Sequence, residues 1–119
     1  MVKNKLVVNN IDSLSARGWS ENKPHTKEER LSSMKKHGKK CFLRSEELKY
    51  PVCDKNGDFD CKGIIAAKFW ADTAETKAMK SKTRKRRPYS FKNVSKKAKN
   101  LGNKLGCKKY KKNLTRENR

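Results

Sequence analysis

Four cysteines and two histidines are the residues of this chain whose types could support metal binding, redox chemistry or nucleophilic catalysis. Cys41, Cys53 and Cys61 are separated by eleven and seven intervening residues, and Cys107 is distant. No two cysteines form the close pair that is typical of zinc modules, and the two histidines do not form a paired ligand motif. A zinc site made by three cysteines and a histidine therefore stays open only as a minor alternative.

Two other interpretations of the cysteines compete with a zinc site. Cys53 and Cys61 flank an Asn56-Gly57 pair that favours a tight turn, so a disulfide between Cys53 and Cys61 would close a small loop. Such a crosslink is worth ~2–4 kcal/mol where the geometry permits it. Alternatively, the cysteines are buried thiols that pack as small apolar side chains. The sequence does not separate these two interpretations.

Catalytic chemistry has little support in the sequence. A cysteine nucleophile needs a base and an orienting group, and nothing connects either histidine with a particular thiol. Asp54, Asp58 and Asp60 lack the ligand order and terminal glutamate of an EF-hand loop, and are better explained as turn and helix-capping residues. The sequence contains no glycine-rich loop of the kind that binds nucleotide phosphates. We therefore predict that the protein is not an enzyme and takes no cofactor, metal or small-molecule substrate.

The composition limits the core that must position these residues. Leu, Ile, Val and Phe together account for only 20 of the 119 residues, and the formal net charge is +21. Chains of this kind tend to be disordered on their own, so we expect a partner or a crosslink near the cysteines to supply part of the order. The longest apolar run near the N-terminus is too short for a signal peptide, and no stretch is long enough for a membrane span.

The positive charge is concentrated in the second half of the chain. Residues 61–119 carry 20 Lys and Arg against 3 Asp and Glu, whereas residues 1–60 carry 13 against 9. Such an excess predicts contact with a polyanion or a strongly acidic protein surface. Residues 80–92 are the leading patch, and the basic run 80–88 within it also fits a nuclear-import signal. The predicted polyanion-binding residues are Lys80, Lys82, Arg84, Lys85, Arg86, Arg87, Lys92, Lys96, Lys97 and Lys99.

Three segments have helical patterns. Thr26 and Glu29 form a capping box at the start of a helix that ends near Gly38. Asp60 can cap a second helix, along which Ile64, Ala67, Ala71, Ala74 and Ala78 form one stripe and Cys61, Ile65 and Phe69 an adjoining one. The third helix begins near Phe91 and has an apolar seam, which we expect to pack against a partner. Trp19 in the N-terminal arm is either an anchor in a partner pocket, which we favour, or a lid over the chain's own small core. The predicted partner-packing residues are Trp19, Phe91, Val94, Leu101 and Leu105.

These patterns predict a mainly α fold. We expect a small irregular domain of about three short helices around a cysteine-containing loop, with extended basic N- and C-terminal arms. Residues 1–24 would form the N-terminal arm, in which Leu6, Val7 and Val8 can add as a short strand. Residues 25–79 would form the helical, cysteine-containing part. Residues 80–119 would form a basic segment with one amphipathic helix and a flexible tail.

The segment of residues 37–68 resembles a short cassette of small basic virion proteins from large nucleocytoplasmic DNA viruses, the algal chloroviruses among them. The similarity rests on Lys-Lys-Cys-Phe-Leu, Lys-Tyr-Pro-Val-Cys, and Cys-Lys-Gly before an alanine-rich helix, and covers roughly a quarter of the chain. The resemblance implies a minor capsid protein and no catalytic residue. It also implies that disulfides can form during cytoplasmic assembly, because such viruses can carry their own thiol oxidase.

Two functions therefore follow from the sequence. The first is a minor capsid protein of a virion, made in the host cytoplasm or nucleus, that cements or bridges capsid proteins on the inner side of the shell. Its basic half would face acidic capsid proteins, genomic DNA or an anionic membrane surface. The second is a non-specific nucleic-acid-binding protein, either a genome-condensing virion protein or a ribosomal-type RNA binder, with Tyr89 or Phe91 available for base stacking. No motif for sequence-specific readout is present.

Overall fold

The computed structural model describes residues 7–80 and 88–110, which form helices and short strands around one core. The prediction of a mainly α fold is confirmed, although the two main helices, of 20 and 15 residues, are not short. The helices are α1 (Trp19–Asn22), α2 (Lys27–His37), α3 (Cys61–Lys80) and α4 (Phe91–Leu105). The strands are β1 (Val8–Asn9), β2 (Phe42–Arg44), β3 (Lys49–Pro51) and β4 (Phe59–Asp60).

Helix α2 begins and ends where its sequence predicts. The Thr26 hydroxyl accepts a hydrogen bond from the backbone N–H of Glu29 at 3.0 Å, and the Glu29 carboxylate accepts one from the Thr26 N–H at 3.3 Å. These bonds satisfy backbone donors that lack partners within the helix. Gly38 ends the helix with a positive φ of 93°, as predicted.

Strands β2 and β3 form an antiparallel hairpin that brings two cysteines together. Phe42 lies opposite Pro51, and the backbone N–H of Val52 donates to the Cys41 carbonyl at 2.8 Å. Cys41 and Cys53 therefore lie at neighbouring ends of the two strands, and their sulfurs form a disulfide with a Cα–Cα distance of 5.0 Å. Both residues are buried.

The predicted Cys53–Cys61 disulfide is wrong. Cys53 pairs with Cys41 because the hairpin places them side by side, and Cys61 pairs with Cys107. Cys61 is the first residue of α3, and that turn packs near the chain that leaves α4. The tight turn between Cys53 and Cys61 does form, with Gly57 at a φ of 89°, but it does not bring those two sulfurs together.

Aspartates organise the turn and the start of α3. The Asp54 carboxylate accepts hydrogen bonds from the backbone N–H groups of Asn56 and Asp58 at 2.9 and 3.1 Å. Buried Asp60 accepts one from the Lys62 N–H at 2.8 Å, so it caps α3 as predicted. Asp60 also accepts hydrogen bonds from the Asn10 side chain, at 2.9 and 3.1 Å. These contacts account for Asp54 and Asp60 as structural residues.

The core lies between α3 and α4. On α3 the first three residues of the predicted stripe, Ile64, Ala67 and Ala71, are buried, and the small alanines permit a close approach of the helices. Phe69 departs from the prediction, because it is exposed although Cys61 and Ile65 on the same adjoining stripe are buried.

The predicted partner-packing seam of α4 belongs to the protein's own core. Val94 is buried, and Leu101 and Leu105 are partly buried against the core that includes Ala98 and Cys107. Phe91 is half-buried, and its ring lies against Tyr89 with the centroids 5.2 Å apart. The assignment of Val94, Leu101 and Leu105 to a partner surface is therefore wrong, because α4 packs mainly on α3 of the same chain, a neighbour that the sequence could not identify.

The predicted N-terminal arm also packs on the rest of the fold. Strand β1 pairs in parallel with β4, with Val8 opposite Phe59. Trp19 is buried rather than free to anchor a partner, because its indole lies on Gly63 of α3. Together with the Cys61–Cys107 disulfide, these contacts cross both of the predicted segment boundaries, near residues 24 and 80.

Candidate binding surface

An exposed aromatic ridge on α3 is the most distinctive surface feature of the described residues. Phe69 and Trp70 are each 58% exposed, and their rings meet edge to face with centroids 5.1 Å apart. Consecutive residues point about 100° apart around a helix, so the two rings border different grooves. We call the groove beside Trp70 the aromatic groove and the groove beside Phe69 the apolar groove.

The aromatic groove has a volume of about 310 Å³ and lies between α3, β3 and the segments that carry Lys23 and Tyr89. Ala66 and Ala67 leave room at α3, and Trp19 closes the groove from the side of α1. The other aromatic and cationic side chains along it are Trp70, Tyr50, Tyr89, Lys23, Arg30 and Lys49.

Tyr50 and Tyr89 are held together as one unit. Their hydroxyl oxygens lie 2.9 Å apart in a hydrogen bond, and their rings are nearly perpendicular with centroids 6.1 Å apart. Burial, followed by the hydrogen bond with Tyr89, raises the pKa of Tyr50 well above its ordinary value. Tyr50 has a φ of 61°, which is unusual for a bulky residue, and strained residues of this kind are often found at ligand sites.

The groove carries positive charge without a matching acid. Arg30 donates hydrogen bonds to the carbonyls of Pro24 and Leu48 at 3.1 and 2.9 Å, which fixes its guanidinium. Burial lowers the pKa of Arg30, and among residues 7–80 and 88–110 no carboxylate forms an ion pair with it. Lys23 and Lys49 add two further cations, and none of the described groove-lining residues is acidic.

The apolar groove lies on the other side of the ridge and has a volume of about 330 Å³. Its apolar surface comes from Leu14, Ile65, Phe69 and Tyr110, and Leu14 is as exposed as Phe69. Asp72 lies at its edge and forms an ion pair with Lys68 at 2.7 Å. Burial, followed by the charge of Asp72, raises the pKa of Tyr110 to about 12.

The predicted polyanion-binding residues fall into two groups. Lys82 and the run from Arg84 to Arg87 lie outside the described residues. The others are exposed at the end of α3 or along α4, where Lys96 and Lys97 share a shallow surface with Arg44. The remaining exposed members are Lys80, Lys92 and Lys99.

Arg44 joins this lysine surface to the aromatic groove. Its guanidinium lies over the Tyr89 ring, 4.4 Å from the centroid, in a cation–π contact. The carboxylate of Glu47 forms an ion pair with Arg44, and the hydrogen bond with Arg44 lowers the pKa of Glu47. The charge of Arg44 is therefore largely matched, whereas Lys96 and Lys97 have no acid beside them among the described residues that line this surface.

The four cysteines are all paired in disulfides, so none retains a thiol for nucleophilic attack or zinc binding. Within residues 7–80 and 88–110, no three His, Cys, Asp or Glu side chains lie close enough to hold a metal ion. In the same ranges, no helix is long and apolar enough to cross a membrane. The arrangement can bind through charge, aromatic faces and apolar contact.

The sequence identified Tyr89 as a stacking candidate but not Trp70, Tyr50 or Arg30. Trp70 lies outside both predicted stripes of α3, and an off-stripe tryptophan is a signal for exposure that could have been used. The approach of Tyr50 to Tyr89 spans 39 positions and has no sequence signal.

Searches with this chain against protein-family models, curated proteins and solved structures found no match.

Proposed function

We propose that the protein is a structural component of a virus particle, a minor capsid protein that bridges neighbouring capsid proteins on the inner side of the shell. The observation that carries this proposal is the exposed apolar groove beside Phe69. The large apolar side chains of Leu14 and Phe69 are exposed to solvent, and lysines lie at the edge of the groove. A groove of this type suits an apolar side chain on a neighbouring protein with an acidic surround.

The two disulfides support a role in an assembled particle. Each cystine is buried, and together they crosslink the hairpin and the two main helices of a chain with few large apolar residues. Disulfides persist in oxidising settings such as secreted proteins and virions. The resemblance of residues 37–68 to small virion proteins favours the virion among these settings.

Substitutions in the apolar groove test the proposal. Leu14→Asp with Phe69→Asp places two carboxylates where we expect contact with a capsid protein, and incorporation into particles should fall at least tenfold. Met79→Asp is the matched control, because Met79 is also exposed on α3 but lies ten residues, about 15 Å, along the helix from Phe69. Equal incorporation of the groove variant and the control would reject the capsid-bridging role.

The alternative function is non-specific nucleic-acid binding, and the observation that favours it is the lysine surface of α4. Lys96 and Lys97 are exposed beside Arg44 with no acid among the described residues lining that surface. If genome condensation is the main role, Lys96→Gln with Lys97→Gln should reduce genome packaging while the apolar-groove variant does not. If the apolar-groove variant reduces genome packaging and the lysine variant does not, the capsid role is favoured instead.

A further inference from the structure

We propose that the aromatic groove is a binding site for single-stranded nucleic acid, in which Trp70 stacks on a base, the Tyr50–Tyr89 pair lines the groove and the surrounding cations bind phosphates. The site is separate from the apolar groove and does not depend on it, because Phe69 and Trp70 face different grooves.

Charge complementarity selects an anionic occupant. Lys23, Arg30 and Lys49 lie along the groove, and none of its described lining residues is acidic. Arg30 is partly buried and held by two backbone carbonyls, and among the described residues no carboxylate forms an ion pair with it. An anion at this position would supply the missing partner, and a guanidinium is well suited to phosphate.

The aromatic rings select among anions. An aromatic face carries the negative part of the ring quadrupole, so it repels carboxylates but stacks well on a neutral, planar base. Tyr89 already carries Arg44 over its ring, and Tyr50 is fixed by the hydroxyl contact with Tyr89. Trp70 is 58% exposed and offers the largest accessible ring surface of the groove. This combination favours a nucleotide over an acidic peptide.

The form of the groove favours a single strand over a duplex. A cavity of about 310 Å³ lies at the small end of the range for ligand sites and suits one or two bases. Duplex bases are stacked on each other and do not present their faces, whereas bases in a single strand can turn outward.

A path for the flanking phosphates leads from Tyr89 across Arg44 to Lys96 and Lys97. On the other side of Tyr89 the shallow surface includes both Glu75 and Lys92. We expect the strand to run from the aromatic groove toward α4, because two lysines line that surface whereas the other surface has one lysine beside a glutamate.

The test compares Trp70→Ala with Phe69→Ala in the oxidised full-length chain. The two residues are adjacent, equally exposed and on one helix, so Phe69→Ala is a matched control for the loss of an exposed ring. The probes are an oligothymidylate, a duplex of the same phosphate content, and poly-aspartate, each measured by fluorescence anisotropy at several salt concentrations. Melting temperatures and far-UV circular dichroism verify that each variant is folded.

We expect Trp70→Ala to weaken oligothymidylate binding about tenfold, with little change in the salt dependence, and Phe69→Ala to leave it within twofold. Duplex binding, which rests on the basic residues, should be the same for both variants. Lys49→Gln should instead reduce the slope of log affinity against log salt by about 0.7, the value for one lost single-strand phosphate contact.

Two results would overturn the proposal. One is equal oligothymidylate affinity for Trp70→Ala and Phe69→Ala when both are folded. The other is a Trp70→Ala effect on poly-aspartate as large as that on oligothymidylate, which would assign the groove to an acidic protein segment. If either result rejects the oligothymidylate site, the capsid proposal still stands, because that proposal is tested separately by particle incorporation through the apolar groove.

Discussion

The contact between Trp19 and Gly63 shows how a single residue determines where the N-terminal segment lies. A Cβ at position 63 would approach the indole of Trp19 to 2.6 Å, so the ring can lie on α3 only because residue 63 has no side chain. A glycine inside a helix ordinarily costs about 1 kcal/mol relative to alanine. The burial of Trp19 offsets this cost, since tryptophan is one of the largest apolar groups that a core can bury.

This contact predicts that the effect of Gly63→Ala on the free energy of unfolding changes sign when Trp19 is replaced by alanine. In the wild-type protein, Gly63→Ala should lower the free energy of unfolding by about 1–3 kcal/mol, because Trp19 must move. In a Trp19→Ala background, which itself costs about 3–5 kcal/mol, Gly63→Ala should raise the free energy of unfolding by up to about 1 kcal/mol. Urea unfolding of the oxidised wild type and the three variants measures these differences. If Gly63→Ala lowered the free energy of unfolding equally in both backgrounds, the indole would not rest on Gly63.

At the scale of elements, the sequence predicted features that depend on nearby residues better than contacts between distant segments. The capping box of α2, the turn at Gly57 and the Asp60 cap of α3 each depend on residues within four positions, and all three are present. The partners of Cys53, Trp19 and the α4 seam depend on contacts between distant segments. Period and spacing show that a face is apolar, but not which surface covers it.

The capping box of α2 predicts the effect of a substitution on stability and also the pH dependence of that stability. Thr26→Ala should lower the free energy of unfolding by about 1 kcal/mol at pH 7, and Ser32→Ala, at an exposed position on the same helix, should have a smaller effect. Backbone hydrogen bonds from His25 and Thr26 lower the pKa of Glu29 below 4.5. The stability that the Glu29 carboxylate contributes is therefore present above pH 4.5 and is lost as the pH falls through the lower, folded-state pKa.

A Glu29→Gln variant measured across this range checks the sign. The stability difference between wild type and Glu29→Gln should shrink as the pH falls from about 5 toward 3. A difference that grows with acidification would contradict the hydrogen-bonded carboxylate.

The tyrosines that connect β3 with the start of α4 give a prediction at alkaline pH. Burial raises the pKa of Tyr50 above 10 and that of Tyr110 to about 12. Because the folded state holds these protons more tightly than the unfolded state, the stability that they contribute is present below pH 10 and falls as the pH rises further. Tyrosinate absorbance of the folded chain should therefore rise above pH 10 for these two phenols. Tyr89→Phe should lower the pKa of Tyr50, and an unchanged titration would contradict the hydroxyl contact.

At the scale of the whole molecule, two disulfides close a chain whose apolar residues alone make a small core. Cys41–Cys53 spans 12 positions and Cys61–Cys107 spans 46, so the second restricts the unfolded chain more. The sequence predicted that a partner or a crosslink would supply part of the order, but it could not show the pairing, because the pairing follows from the hairpin and from the packing of α3 on α4.

The disulfides predict an order of stability losses. Chain-entropy estimates give about 4 kcal/mol for replacing Cys61 and Cys107 by alanine, and about 3 kcal/mol for replacing Cys41 and Cys53. Urea unfolding of both double variants should rank them in this order, and peptide mapping without reductant should recover Cys41 with Cys53 and Cys61 with Cys107. Recovery of a linked Cys53–Cys61 peptide would contradict the fold itself.

The measurement that tests the proposed capsid role most directly is cross-linking mass spectrometry on intact particles, followed by separation of shell from nucleoprotein core. Lys68 and Lys109 border the apolar groove and should link to acidic segments of capsid proteins, with the protein recovered in the shell fraction. Recovery only in the nucleoprotein core, with no link from either lysine to a capsid protein, would contradict the capsid-bridging role.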